Sequence, residues 1–274
     1  MSIIIREARA TYAFVERNFN LVRRYWGWEI VWLAYSIANS LSITFIGAGM
    51  EQVSGVPVDT TRLVFYLLIG TLVWHYLSVV FDNISEMIAW ERWEGTIEYT
   101  FMAPVHRITH MAGTCVFSTI YALLHTGIIL VVVAFFFHID LAKANLLGGL
   151  VVILSGSLSF IGLGIMAAVL PLLFTERGAQ MTHVIQAVLL LISGIYYPIE
   201  VLPDWLQVMA RLSPATYVLE GMRAALLEGA GFDALVGYIV LLLVSGTIAI
   251  PIGLVVFRWG ERYAKRTGRL KRSG

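Results

Sequence analysis

The residues of this 274-residue chain whose types suit chemistry gather in one place. Asp82, Glu86, Glu91, Glu94 and Glu98 lie in or just before Ile84–Arg107, ISEMIAWERWEGTIEYTFMAPVHR, among Trp90, Trp93, Tyr99 and Phe101. Acids interleaved with large aromatics suit recognition, because acids pair with basic groups and Trp or Tyr supplies apolar anchors. The same composition also fits an elbow that only reverses the chain. Other candidates are sparse. His106 and His110 stand four apart and share a helical face, yet no third ligand lies nearby, so they read as a surface pair and no metal is expected. Cys115 is alone in an apolar run and reads as a packing residue. No Gly-rich run ends in Gly-Lys-Ser/Thr, and there is neither a nucleophile elbow nor an HExxH pair. No catalytic residue and no cofactor is expected in this chain.

The elements that must position these residues are apolar. The chain is 58% hydrophobic, with a mean hydropathy of +0.79. Charged residues make up 14%, against about 25% in ordinary globular proteins. This points to an all-α integral membrane protein. Net charge is +1, and nothing suggests a nucleic-acid partner. In residues 1–27, Ile4, Ala8, Tyr12, Val15, Phe19, Val22 and Trp26 recur at spacings of three and four. Arg9, Glu16, Arg17, Arg23 and Arg24 fall on the other side, which predicts an amphipathic helix in the membrane interface with arginines toward the headgroups. A helix packed on a partner is the other reading. These residues do not read as a cleavable signal, because arginines interrupt every apolar stretch.

Six apolar runs in residues 28–274 are each near the ~20 residues needed to cross a bilayer: 28–48, 63–81, 111–137, 146–174, 182–199 and 234–257. Pro171 predicts a kink or an early exit near the end of the fourth. With the N-terminus inside, 15 of the 19 lysines and arginines fall in inner segments, including the basic tail 258–274. Arg62, Lys143, Arg211 and Arg223 fall outside. The positive-inside rule then places both termini and the acidic elbow in the cytoplasm. Gly148, Ser155, Ser159 and Gly162 share one face of the fourth span and permit close helix approach, within the chain or at a subunit interface.

Polar groups within the spans are few. Glu29 lies near the inner edge and can reach the headgroups, whereas Asn39 is deep enough to need an interhelical partner. His75 is intramembrane, either a packing residue or part of a substrate or proton path. Between the last two spans, residues 198–229 are cut by Pro198, Pro203 and Pro214 into pieces too short to cross, yet too apolar for a free loop. Short helices dipping into the outer leaflet satisfy both facts. Pro203 suits a first helical turn, and Gly229 a helix end.

Together these features resemble the membrane subunits of ABC exporters of the ABC-2 type. The carriers of the resemblance are Glu94-Gly95-Thr96-Ile97-Glu98 with Ala103-Pro104-Val105, and later Tyr197-Pro198, Leu202-Pro203, Leu206, Ser213-Pro214 and Glu220-Gly221-Met222-Arg223. Tyr99, Thr100 and Phe101 stand where the family more often has leucines. The resemblance implies six transmembrane helices, an N-terminal interfacial helix, a cytoplasmic coupling helix between helices 2 and 3, and re-entrant outer helices before helix 6. It implies an ATP-driven permease of the bacterial inner membrane, working with two copies of an ATPase subunit that carry ATP and Mg, and with a second permease, most simply an identical one. Coupling-helix contacts to the ATPase then fall on Glu86, Trp90, Glu91, Trp93, Glu94, Gly95, Thr96, Glu98 and Pro104, and the re-entrant motif on Tyr197, Pro198, Pro203 and Pro214. Asn39, His75 and Tyr196 are the candidates for a substrate path. The wording Gly194-Ile195-Tyr196-Tyr197-Pro198 is closer to drug and lipid exporters, with a polysaccharide or lipid-linked glycan second. Other classes are an ATP-independent carrier, which calls for mid-span acids, and a membrane enzyme, which needs paired in-membrane catalytic groups.

Overall fold

The computed structural model describes residues 3–174 and 177–267; Arg269, Lys271 and Arg272 of the expected basic tail lie outside them. Every regular element among the described residues is helical. The periodic N-terminal segment forms α1 (Ile3–Arg24), and the chain bends at Tyr25 into α2 (Trp26–Ser54). Gly55 ends α2 in the left-handed region, φ 67°, where glycine pays no Cβ penalty. Asp59 then caps α3 (Thr60–Ser85) by accepting from the Arg62 amide at 3.0 Å. Two short helices follow, α4 (Met87–Glu94) and α5 (Ile97–Met102), before α6 (Arg107–Phe137).

The next span breaks where proline chemistry requires. α7 (Leu146–Ala167) stops four residues before Pro171, whose ring excludes the Ala167 carbonyl from the helix, and α8 (Val169–Leu173) follows. α9 (Gly178–Ile192) comes next, then a 3₁₀ turn at Ile199–Val201, α10 (Asp204–Leu212), α11 (Pro214–Leu226) and α12 (Phe232–Arg266). α2, α3, α6, the α7–α8 unit and α12 are long and apolar enough to cross a membrane.

The expected fifth span is where helix and expectation part. α9 has 15 residues, about 22 Å of helix, against a hydrocarbon core of roughly 30 Å. It ends at Ile192 rather than 199, because Gly194 turns the chain at φ 67°.

α3 is the hub. Leu68, Ile69, Tyr76, Leu77 and Phe81 are fully buried, and the helix touches α2, α6, α7, α9 and α11. α7 packs along α12 through small residues. A Cβ on Gly162 would lie 2.5 Å from the Ala249 carbonyl carbon, and the Ser159 and Ser245 hydroxyls meet at 2.7 Å. The small face of the fourth span therefore serves packing inside the chain.

α1 lies against α6. Thr11 and Phe14 crowd Gly113, the Phe14 ring lies tilted 4.7 Å from His110, and Phe19 meets Phe117 edge-on. Thr11 and Phe14 lie outside the expected apolar face, of which Phe19 reaches α6 while Ala8, Tyr12 and Trp26 stay exposed.

Candidate functional site

The α4–α5 elbow is built by three local devices. α3 ends at Ser85 and α4 starts at Met87, with Glu86 at the junction. Gly95, at φ 74°, ends α4, and its amide returns to the Arg92 and Glu91 carbonyls. Pro104 holds Ala103 extended, ψ 140°, so α5 stops at Met102. The surface left outward is aromatic. Trp90, Trp93, Tyr99 and Met102 are half or more exposed, Tyr99 by 73%. Trp90 and Trp93 meet edge-on at 5.5 Å, and Tyr25 lies 5.9 Å from Trp93. Glu98 and Pro104 are exposed beside them, and Gly95 and Thr96 are half-buried.

Glu91 corrects the sequence reading. It is 3% exposed and turned inward, so it offers nothing to a second protein. Its Oε1 accepts from Arg17 Nη1 at 3.0 Å and Thr100 Oγ1 at 3.3 Å, and His110 Nε2 lies at 2.9 Å. Burial pushes its carboxyl upward, but the His110 contact and the charges of His110 and Arg17 outweigh that and hold it below the usual carboxylate value. Two further readings change with it. His110 is buried rather than half of a surface pair, while His106 is exposed. Arg17 turns to the elbow instead of the headgroups.

Three more contacts fasten the elbow. Arg92 Nη2 donates to the Leu172 carbonyl of α8 at 2.8 Å. Arg107 Nη1 donates to the Thr100 carbonyl at 2.8 Å, and its Nε lies 3.4 Å from Glu261 on α12. Glu94 accepts from Tyr25 Oη at 3.0 Å, with Arg24 at 3.8 Å. A short element of two helices is thereby tied to α1, α6 and α8, and through Arg107 to α12. Arg92, Arg107 and Glu261 were not singled out from sequence, and Arg17, Thr100 and His110 were not assigned to the elbow, because their partners stand far along the chain and burial of a charge leaves no local signal.

Asn39, His75 and Tyr196 are brought together. They line a cavity of about 170 Å³ with Tyr35, Ser36, Ser40, Thr71, Trp74 and Ser78. Its wall carries aromatic rings and neutral hydrogen-bonding groups but no Asp, Glu, Lys or Arg. Asn39 is exposed on α2 and makes no interhelical hydrogen bond among the described residues, and His75 Nε2 is buried with no partner. Tyr196 is placed from the opposite side. Arg223 Nη2 donates to the Gly194 and Ile195 carbonyls at 3.3 and 2.8 Å, and its guanidinium lies 3.6 Å over the Tyr66 ring. Gly70 lets this turn touch α3, since a Cβ there would lie 2.3 Å from the Ile195 oxygen. Of the proline-rich motif, Tyr197 is half-buried and bonds back to the Leu191 carbonyl, Pro198 and Pro203 are exposed, and Pro214 opens α11.

Glu29 does not reach outward. It accepts from Tyr121 Oη on α6 and lies 3.8 Å from His125 Nε2. At the end of α3, Glu86 is half-buried beside Asp82 and His183. Burial first, then the Asp82 charge, pushes its carboxyl up to about 7, against the pull of His183.

An all-helical multi-pass membrane protein with a tethered surface elbow, a polar cavity and a chain of short helices before its last span is of the transporter class. Residues 9–227 match the family model of the ABC-2 type transporter. The chain belongs to that family and is a membrane permease component of an ABC transporter. No curated protein matches it significantly.

Proposed function

We propose that this chain is the permease of an ATP-driven exporter in the bacterial inner membrane, energised by two copies of a separate ATPase subunit that carry ATP and Mg. Two permease copies, most simply identical, form the membrane unit, with both termini and the elbow in the cytoplasm. The observation that carries this reading is the elbow itself. Trp90, Trp93, Tyr99 and Met102 offer interface anchors on a stiff element that Glu91, Arg92 and Arg107 fasten to four helices. Closure of the ATPase pair presses on this face, and the fastenings carry the motion to α1, α6, α8 and α12. Glu98 faces outward to pair with a basic group of the ATPase, while Glu91 holds the elbow in place.

The cargo is a hydrophobic or amphipathic molecule, such as a drug, antibiotic or lipid, that passes the cavity of Asn39, His75 and Tyr196. A glycan is the second reading. The cavity lining supports it, because Tyr35, Trp74 and Tyr196 supply stacking faces beside serine, threonine and asparagine groups suited to hydroxyls.

The test is transport in vesicles containing this chain and its ATPase. Gly95→Pro forces φ near −65° where 74° is needed, and Glu98→Lys reverses the exposed charge. Both variants should insert normally and let ATP hydrolysis run without cargo movement. Normal transport by both would overturn the role given to the elbow.

A further inference from the structure

We propose that Asp82, Glu86 and His183 form a binding site for a first-row divalent metal ion, best matched by zinc, that ties the end of α3 to the start of α9. Asp82 and Glu86 are four residues apart at the end of one helix and so share a face. His183 reaches them from the second turn of α9. One donor atom from each lies within 4.8 Å of the other two.

The spacing suits a metal. Two ligands about 2.1 Å from a tetrahedral zinc stand roughly 3.4 Å apart. His183 Nε2 and Glu86 Oε1 are 3.5 Å apart. Asp82 offers a carboxylate oxygen within 4.8 Å of both.

A separate observation points to the same ligand. Asp82 Oδ1 is buried and accepts no hydrogen bond. A buried acceptor without a donor is costly, and it faces a second carboxylate that repels it. A bound cation removes both penalties.

The donor set selects among ions. Two carboxylates and one imidazole suit zinc and its neighbours in the row, whereas magnesium and calcium prefer oxygen alone. The exposure of His183 leaves room for water as a fourth ligand. Gln186, one turn along α9, donates to the Ser78 carbonyl of α3 at 3.3 Å and so helps hold the two helices in register beside the site. Because α4 begins at Met87, directly after Glu86, the ion would fix α9 to the root of the elbow.

The experiment uses the full-length chain in lipid nanodiscs, stripped of metal with a chelator and titrated with Co²⁺ alone. Visible d–d absorption should saturate at one Co²⁺ per chain and be displaced by Zn²⁺, and Zn²⁺ should raise the thermal midpoint. Glu86→Gln and His183→Gln should each weaken binding by more than about tenfold and lose the thermal shift, whereas His106→Gln should change neither. Absence of saturable bands in the unaltered chain would overturn the proposal without reference to any variant. Equal Co²⁺ affinity in all three variants would do the same, assigning the metal to adventitious surface groups.

Discussion

Replacing Glu91 by Gln keeps the shape of the side chain and one acceptor but removes the charge on which Arg17, Thr100 and His110 converge. A hydrogen bond to a charged group contributes about 1.5–3 kcal/mol, and removing one partner of a buried pair leaves the other unsatisfied. The Arg17 side chain is 33% exposed, so water recovers part of its loss, whereas His110 is 3% exposed and recovers little. A net cost of about 2 kcal/mol follows, concentrated where α4 meets α1 and α6. At 1.4 kcal/mol per tenfold, local opening of α4 should rise roughly thirtyfold. Amide hydrogen exchange on the full-length chain reads this directly. Amides of Trp90–Thr96 should exchange about thirtyfold faster in Glu91→Gln, while those of α7 and α12 stay unchanged. Unchanged exchange at the elbow would refute the claim that this carboxylate holds it. Uniform acceleration across the chain would show a global role instead.

Two further outcomes follow from the same contacts. The Glu91 carboxyl is held below its ordinary 4.5, so its contribution is fully present above that value and is lost as pH falls through the lower folded value. Fluorescence of Trp90 and Trp93 should therefore show a transition below about 4.5 that is lost in Glu91→Gln. Gly70→Ala should displace the Ile195 backbone and lower the thermal midpoint by a few degrees, at a cost of about 1–3 kcal/mol, because a Cβ would stand 2.3 Å from the Ile195 oxygen. Gly237→Ala, where nothing lies within 4 Å, is the control expected to leave the midpoint unaltered or raised.

Residue types alone decided what kind of molecule this is. Apolar runs long enough to cross a bilayer, cut by Gly and Pro, made helices the only elements able to satisfy the backbone there, and α2, α3, α6, α7 and α12 formed on them. Local stereochemistry was equally legible: Gly95 and Pro104 divide the elbow, and the break after α7 stands where Pro171 demands it. Asn39 and His75, marked by polarity, and Tyr196, marked by the family resemblance, are far apart in the chain and line one cavity.

Only the tertiary structure decided which way a charge points. A glutamate among tryptophans reads the same whether it faces a partner or the interior, and burial beside Arg17 and His110 turned Glu91 from a docking group into a fastening. The length of α9 was hidden for a similar reason. Hydropathy is continuous through Ile192, and the left-handed turn at Gly194, held by Arg223 through the Gly194 and Ile195 carbonyls, ends the helix there. Periodicity and composition act within a few turns of helix, whereas these outcomes depend on side chains brought together from more distant parts of the chain.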